Sequence, residues 1–118
     1  MSDRTQTAYK VLTAEQLATL ERDGRFGGAP VDVADGYIHL STAAQLTDTV
    51  ARHFAGQDDL HVAAVDLTAY AADKVRWEEA RGGQSFPHLY DVLLLETVVA
   101  YGPLTRDDDG AVKLPIAG

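Results

Sequence analysis

LHVAAVDL, residues 60–67, sets four apolar residues in a row, Val62 to Val65, and leaves no polar face along the segment. A strand with one side in water alternates apolar and polar side chains, whereas a strand covered on both sides need not. The segment therefore predicts a strand running centrally in a sheet with packing on both faces.

Upstream, AYKVL (8–12) reads as a first strand ending at Thr13. Thr13 and Gln16 have the spacing of a capping box, Leu17 and Leu20 continue an apolar stripe, and Gly24 stops the helix. RFGGAPVDVAD (25–35) is rich in Gly and Pro and predicts a connecting loop that ends at Asp35-Gly36. YIHL (37–40) resumes an extended run, and Thr42 with Gln45 forms a second capping box. The helix it opens carries Leu46, Val50 and Phe54 on its apolar face and is expected to end at Gly56.

Downstream, KVRWEE (74–79) alternates Lys74, Arg76 and Glu78 on one side with Val75 and Trp77 on the other, the period of a half-exposed strand with Trp77 in the core. VLLLETVVAYGPL (92–104) divides into a short element and a terminal strand near 97–104. RDDDG (106–110) is a turn, after which AVKLP (111–115) is expected to pair back as an edge strand. Residues 1–7 and 115–118 are expected to fray. Two helices early and strands late give a single α+β domain over residues 1–118, with a mostly antiparallel sheet and two main helices.

The 118 residues suit one core, and 46% hydrophobic against 24% charged residues is the balance of a folded globular chain. Ten Lys and Arg against eighteen Asp and Glu give a net charge of −8, which disfavours nonspecific nucleic-acid binding. Basic residues fall in two short clusters, Arg22 with Arg25, and Lys74 with Arg76 and Arg81, that a fold could join. The absence of cysteine excludes disulfides, thiolate metal sites and a thiol nucleophile. No apolar run approaches the roughly 20 residues of a membrane span, and the first ten residues do not resemble a secretion signal, so a cytoplasmic location is expected.

Chemistry can be sought in three motifs. In an extended YIHLS (37–41), Tyr37, His39 and Ser41 share one face at the entrance to a helix, an arrangement suited to a phosphate, carboxylate or sugar hydroxyl. The alternative is that Thr42 only caps the helix, Ser41 is solvated and His39 is a structural histidine. In FPHLY (86–90), Pro87 implies an edge or a bend. If the stretch stays extended, Phe86, His88 and Tyr90 form an aromatic wall with a polar tip. Otherwise Phe86 and Tyr90 fill the core and His88 lies at the surface. Glu78 is either a carboxylate poised over a ligand or half of a weak cross-strand pair with Arg76; Glu79 faces the other way. His53 and His61 read as structural. His39, His88 and Glu78 could make a metal site, but their spacing has no ligand pattern and no metal is expected. P-loop, Rossmann and nucleophile-elbow motifs are missing.

YKVL, DGYIHLSTAAQ, WEE and FPHLY, in this order and spacing, resemble the DUF952 family of small, mainly bacterial proteins over about residues 8–104. The resemblance implies, more distantly, a fold similar to the ADP-ribosyltransferase superfamily, in which a split, mostly antiparallel sheet holds NAD. Carried over, His39 would contact the ribose with Ser41 beside it, and Tyr90 or Phe86 would stack on the nicotinamide. Glu78 would orient a ribose hydroxyl and stabilise an oxocarbenium-like transition state. Glu78 precedes the aromatic motif, whereas the superfamily's glutamate comes last, and His88 has no counterpart there. The glycine that often follows FPHLY in DUF952 is Asp91 here, which implies a different turn after Tyr90.

Three functions follow as expectations. The first is an enzyme that binds NAD as a substrate and transfers ADP-ribose, with Glu78 and His39 catalytic and Ser41, Phe86, His88 and Tyr90 lining the ligand cleft. The second is a noncatalytic small-molecule-binding or regulatory module with the same cleft. The third is a metal-assisted hydrolase acting through His39 and His88.

Overall fold

The computed structural model describes residues 6–115. The chain runs β1 (Thr7–Thr13), α1 (Ala14–Asp23), β2 (Arg25–Phe26), α2 (Pro30–Asp35), β3 (Ile38–His39), α3 (Ala43–His53), β4 (Leu60–Asp66), β5 (Val75–Glu79), β6 (Ser85–Leu89), β7 (Leu93–Leu94) and β8 (Val98–Pro103). Three antiparallel sheets result, in the orders β1-β4-β8, β2-β7 and β3-β6-β5.

β4 is central, as its four consecutive apolar residues predict. Ala63 and Val65 pack with Ala8 and Leu12 of β1, Leu17 and Leu20 of α1, and Ile38 and Leu89 of the β3-β6-β5 sheet. Val62 and Leu60 pack on the other side with Val11, Leu46 and Val50, the last two from α3. Burying such a side chain fully stabilises the fold by roughly 1.5–3 kcal/mol each, and β4 does so on both faces.

Both capping boxes form. The Thr13 and Thr42 hydroxyls accept from the N–H groups of Gln16 and Gln45, whose side chains accept from the threonine N–H groups in return. α1 stops at Gly24, in the left-handed region with φ +74. α3 closes earlier than expected, at Phe54, whose N–H reaches the Val50 carbonyl.

The 25–35 segment corrects the sequence expectation: it holds β2 and a third helix rather than a loop. Pro30 occupies the first turn of α2, where its missing N–H removes nothing, and Gly36 ends it at φ +89.

FPHLY is also corrected. Phe86 to Leu89 lie in β6, the middle strand of its sheet and not an edge, and Tyr90 follows just beyond its end. Leu40 donates its N–H to the Pro87 carbonyl at 3.2 Å, but Pro87 has no N–H to return. The β3–β6 ladder therefore stops at His39, and the chain crosses to β1, where Ser41 and Tyr9 exchange two backbone bonds of 2.9 and 2.8 Å. A proline is tolerated in this central strand because its lost bond falls where the neighbour departs.

Trp77 is exposed rather than in the core, since β5 is the outer strand of that sheet. The 92–104 segment divides as expected into β7 and β8, with a 3-10 turn over Leu95–Thr97 between them. AVKLP makes one bridge, Arg106 to Val112, in place of a strand. Of the termini expected to fray, residues 1–5 and 116–118 lie outside the described residues. Gln6, by contrast, accepts from the Leu67 N–H, and Thr7 opens β1. Among the described residues no helix is long and apolar enough to cross a membrane.

Candidate functional site

Antiparallel register places His39 opposite His88, His88 opposite Arg76, and Phe86 opposite Glu78 on the β3-β6-β5 sheet. Ile38, Leu89 and Val75 turn to the core from its other side. Strand alternation thus sorts the sheet into an apolar inner face and an outer face of imidazoles, carboxylates and rings.

On the outer face, Glu78 Oε1 lies 2.7 Å from His88 Nδ1 and accepts a 2.7 Å hydrogen bond from the Tyr90 hydroxyl. These bonds, from His88 first and Tyr90 second, hold the Glu78 carboxyl below its ordinary range. The same bond raises the Tyr90 phenol above its own. An ionised carboxylate only accepts, so the facing Nδ1 carries the proton and Nε2 of a neutral His88 keeps the lone pair. Tyr37 stacks on His88 with centroids 4.0 Å apart, and it meets His39 at 4.7 Å and Tyr90 at 5.2 Å. The two histidine rings lie 5.5 Å apart, edge to face. The Arg76 guanidinium sits 4.6 Å from the centre of the Tyr90 ring, within cation–π range.

His39 is held from α2. Its Nδ1 lies 2.6 Å from Asp32 Oδ1, and its Nε2 lies 3.0 Å from Asp35 Oδ2. Asp32 also accepts from the His39 and Ala29 N–H groups and from the Lys10 ammonium at 2.9 Å. Asp32 is 1% exposed and Lys10 5%. Burial alone would raise the Asp32 pKa, but the His39 hydrogen bond and then Lys10 outweigh it and hold the carboxyl well below the usual range. Burial lowers the Lys10 pKa, and Asp32 offsets only part of that.

Gly28 makes this geometry possible. Its φ is +125, and a Cβ there would stand 2.8 Å from the Asp32 Cβ. Gly28→Ala combines backbone strain with a clash against a fixed side chain, so a loss of about 1–3 kcal/mol is expected. A urea midpoint equal to wild type would show that the loop can yield.

Of the predicted site residues, His39, Glu78, His88 and Tyr90 come together. Phe86 is half-buried two residues along β6. Ser41 does not join them. Its hydroxyl is buried and lies 2.8 Å from the Thr49 hydroxyl on α3, because the chain has already crossed to β1. Asp91 is outside the left-handed region, since Asp59 is the one non-glycine residue with positive φ among those described. Aspartate therefore fits this turn, and the Tyr90 N–H is anchored on the Lys74 carbonyl at 2.7 Å. His53 ends α3, while His61 lies half-buried in β4 with Nε2 3.6 Å from Asp59. Among the described residues no group of three or more His, Asp and Glu side chains is arranged to hold a metal ion.

Sequence reasoning missed Asp32, Asp35 and Lys10 as members of this cluster and left Tyr37 among the face residues without a role. A signal existed: an aspartate two residues after a proline, in the first turn of a helix that Gly36 ends.

Residues 11–101 match the model of the family described as "Protein of unknown function (DUF952)". The chain belongs to the DUF952 family. The matched region contains every residue of the cluster except Lys10, which stands one position before it. Among solved structures, the crystal structure of Protein CC0527 from Caulobacter crescentus is similar, with 39% identity, a TM-score of 0.80, and coverage of 91% of this chain and 93% of that one. The solution NMR structure of CC0527 is also similar, with 39% identity, a TM-score of 0.76, and coverage of 92% and 91%. No curated protein matches this DUF952 chain.

Proposed function

We propose that the outer face of the β3-β6-β5 sheet is a nucleotide site of the ADP-ribosyl-transfer type, in a protein related by its split antiparallel sheet to the ADP-ribosyltransferases and acting in the cytoplasm. The observation that carries this reading is Glu78, a carboxylate held ionised beside the rings of Tyr37, His88 and Tyr90 and still 38% exposed. A flat nicotinamide can stack on such rings, and an anion beside them stabilises the positive charge that develops at the ribose C1′. The bond between C1′ and the nicotinamide nitrogen breaks, its electron pair leaving with nicotinamide. An acceptor nucleophile then bonds to C1′, and its proton passes to the imidazole of His39, 34% exposed where that of His88 is 5% exposed. His39 contacts the ribose, and Arg76 is the cation at hand for the pyrophosphate.

A second reading, a noncatalytic binding module, is favoured by the stacking of Tyr37 on His88, which already covers one ring face that a ligand would use.

Titration of the wild type and His39→Ala with NAD, ADP-ribose and nicotinamide, by calorimetry and thermal shift, tests both readings. A ligand that binds the folded state stabilises it by about 2.7 kcal/mol at one hundred times its Kd. NAD or ADP-ribose is expected to raise the wild-type midpoint and to leave His39→Ala unmoved. No shift with any of the three ends the nucleotide reading. Binding without nicotinamide release over long incubation selects the binding module.

A further inference from the structure

A continuous chain of polar contacts leads from the interior to the surface: Lys10 Nζ to Asp32 Oδ2 at 2.9 Å, Asp32 Oδ1 to His39 Nδ1 at 2.6 Å, and His39 Nε2 to Asp35 Oδ2 at 3.0 Å. Its inner half is fixed. Asp32 accepts four hydrogen bonds, two on each oxygen, from the Ala29 and His39 backbone, the His39 ring and Lys10, so no other rotamer keeps them. Lys10 also donates to the His39 carbonyl at 3.1 Å, which ties the ammonium to the residue whose ring it backs. An ion pair buried this deeply is a poor source of stability, and apolar residues of the same volume often serve as well. What it supplies here is a single orientation for one imidazole.

The outer half is loose. The His39 side chain is 34% exposed and that of Asp35 is 44% exposed. Asp35 is the last residue of α2, where the carbonyl end of a helix disfavours a carboxylate, and an exposed pair of this kind contributes little energy. The carboxylate can therefore leave His39 at small cost when another oxygen takes its place.

We infer that Asp32 is a positioning residue that presents His39 Nε2 to the ligand as its proton-exchanging atom, and that Asp35 covers this atom until a ligand hydroxyl or anionic oxygen displaces it. The inference rests on the proposed reading of His39 as a ligand contact and adds the atom, the group that aims it and the group that covers it. A ribose hydroxyl has the required chemistry, since it can both donate to and accept from an imidazole nitrogen.

Two readouts on the intact chain test this without any nucleotide, so they stand or fall separately from NAD binding. Long-range proton–nitrogen correlation spectra of the neutral ring are expected to show the proton of His39 on Nδ1. Diethyl pyrocarbonate acylates an imidazole nitrogen only through an unshared pair, so Asp35→Ala is expected to raise acylation of His39 several-fold relative to His53 in the same molecule. Asp35 is exposed, so this variant is expected to fold, and a merely structural role for Asp35 would leave the ratio unmoved. Lys10→Met, which retains three of the four donors to Asp32, is expected to keep the Nδ1–H tautomer. A neutral ring whose one proton sits on Nε2 and not on Nδ1, or an unchanged His39 to His53 ratio in Asp35→Ala, would overturn the inference.

Discussion

Glu78→Gln is expected to lower the rate of nicotinamide release from NAD by about 10²- to 10³-fold, the range seen when one group aimed at transition-state charge is removed. The substitution is conservative in shape. The glutamine carbonyl can still accept from His88 and Tyr90, which hold Oε1 at 2.7 Å in the wild type, so the wall of rings should keep its geometry. On the proposed reading, what disappears is the negative charge opposite C1′, where the positive charge of the nicotinamide ring arrives only as the glycosidic bond breaks. The loss should therefore fall on kcat and leave the Kd for NAD close to wild type. Initial rates of nicotinamide release, with calorimetry on the same preparations, separate the two. An unchanged rate would remove Glu78 from the mechanism, and a change confined to Kd would make it a binding residue only.

Asp32→Ala is expected to have the largest effect on stability, a loss of about 3–5 kcal/mol, because it leaves an ammonium buried without its counter-charge. Lys10 would remain 5% exposed, while the Ala29 and His39 N–H groups would lose the acceptor they share. Urea unfolding followed by circular dichroism measures this directly, and a loss under about 1 kcal/mol would mean that water or a shifted Lys10 replaces the carboxylate. Lys10→Met with Asp32→Ala should recover part of the loss, since the orphaned charge is gone.

The acid side carries a further signature of Asp32. Its folded carboxyl is held well below the unfolded value, so its stabilisation is fully present above an unfolded pKa of about 3.9 and fades as pH falls below that. Asp32→Ala should lack this component of acid unfolding. Lys10 has the opposite sign. Burial lowers its pKa, so its cost is present at neutral pH and is relieved as pH rises toward the unfolded lysine value.

The parts of the fold legible in the sequence were those that depend on near neighbours. Val62 to Val65 announced a strand covered on both faces, and Thr13 with Gln16, and Thr42 with Gln45, announced two helix starts through contacts three residues apart. Alternation in YIHLS and FPHLY placed His39, His88 and Tyr90 on one side of their strands. What failed depended on distant partners. Ser41 was assigned to the His39 face by alternation, but Pro87, 46 positions further on, withholds the hydrogen bond that would have kept the strand straight. Lys10 looks like the polar position of a half-exposed strand, and only Asp32 on another element explains why it sits beside Ala8 and Leu12. Trp77 was placed inside by its alternation with Val75, although its strand has a neighbour on one edge only.

The missing N–H of Pro87 has one more consequence. His39 is stitched to one sheet and Ser41 to the other, with Leu40 alone between them, so the cluster of rings stands at a joint. Any rocking of the two sheets about that joint would turn Ser41 against His39, while His39 and His88, paired within one sheet, would keep their spacing. The Lys10 ammonium, which reaches from β1 to the His39 carbonyl at 3.1 Å, already splints the joint, and its loss in Lys10→Met would be felt as faster hydrogen exchange at the Tyr9 and Ser41 amides.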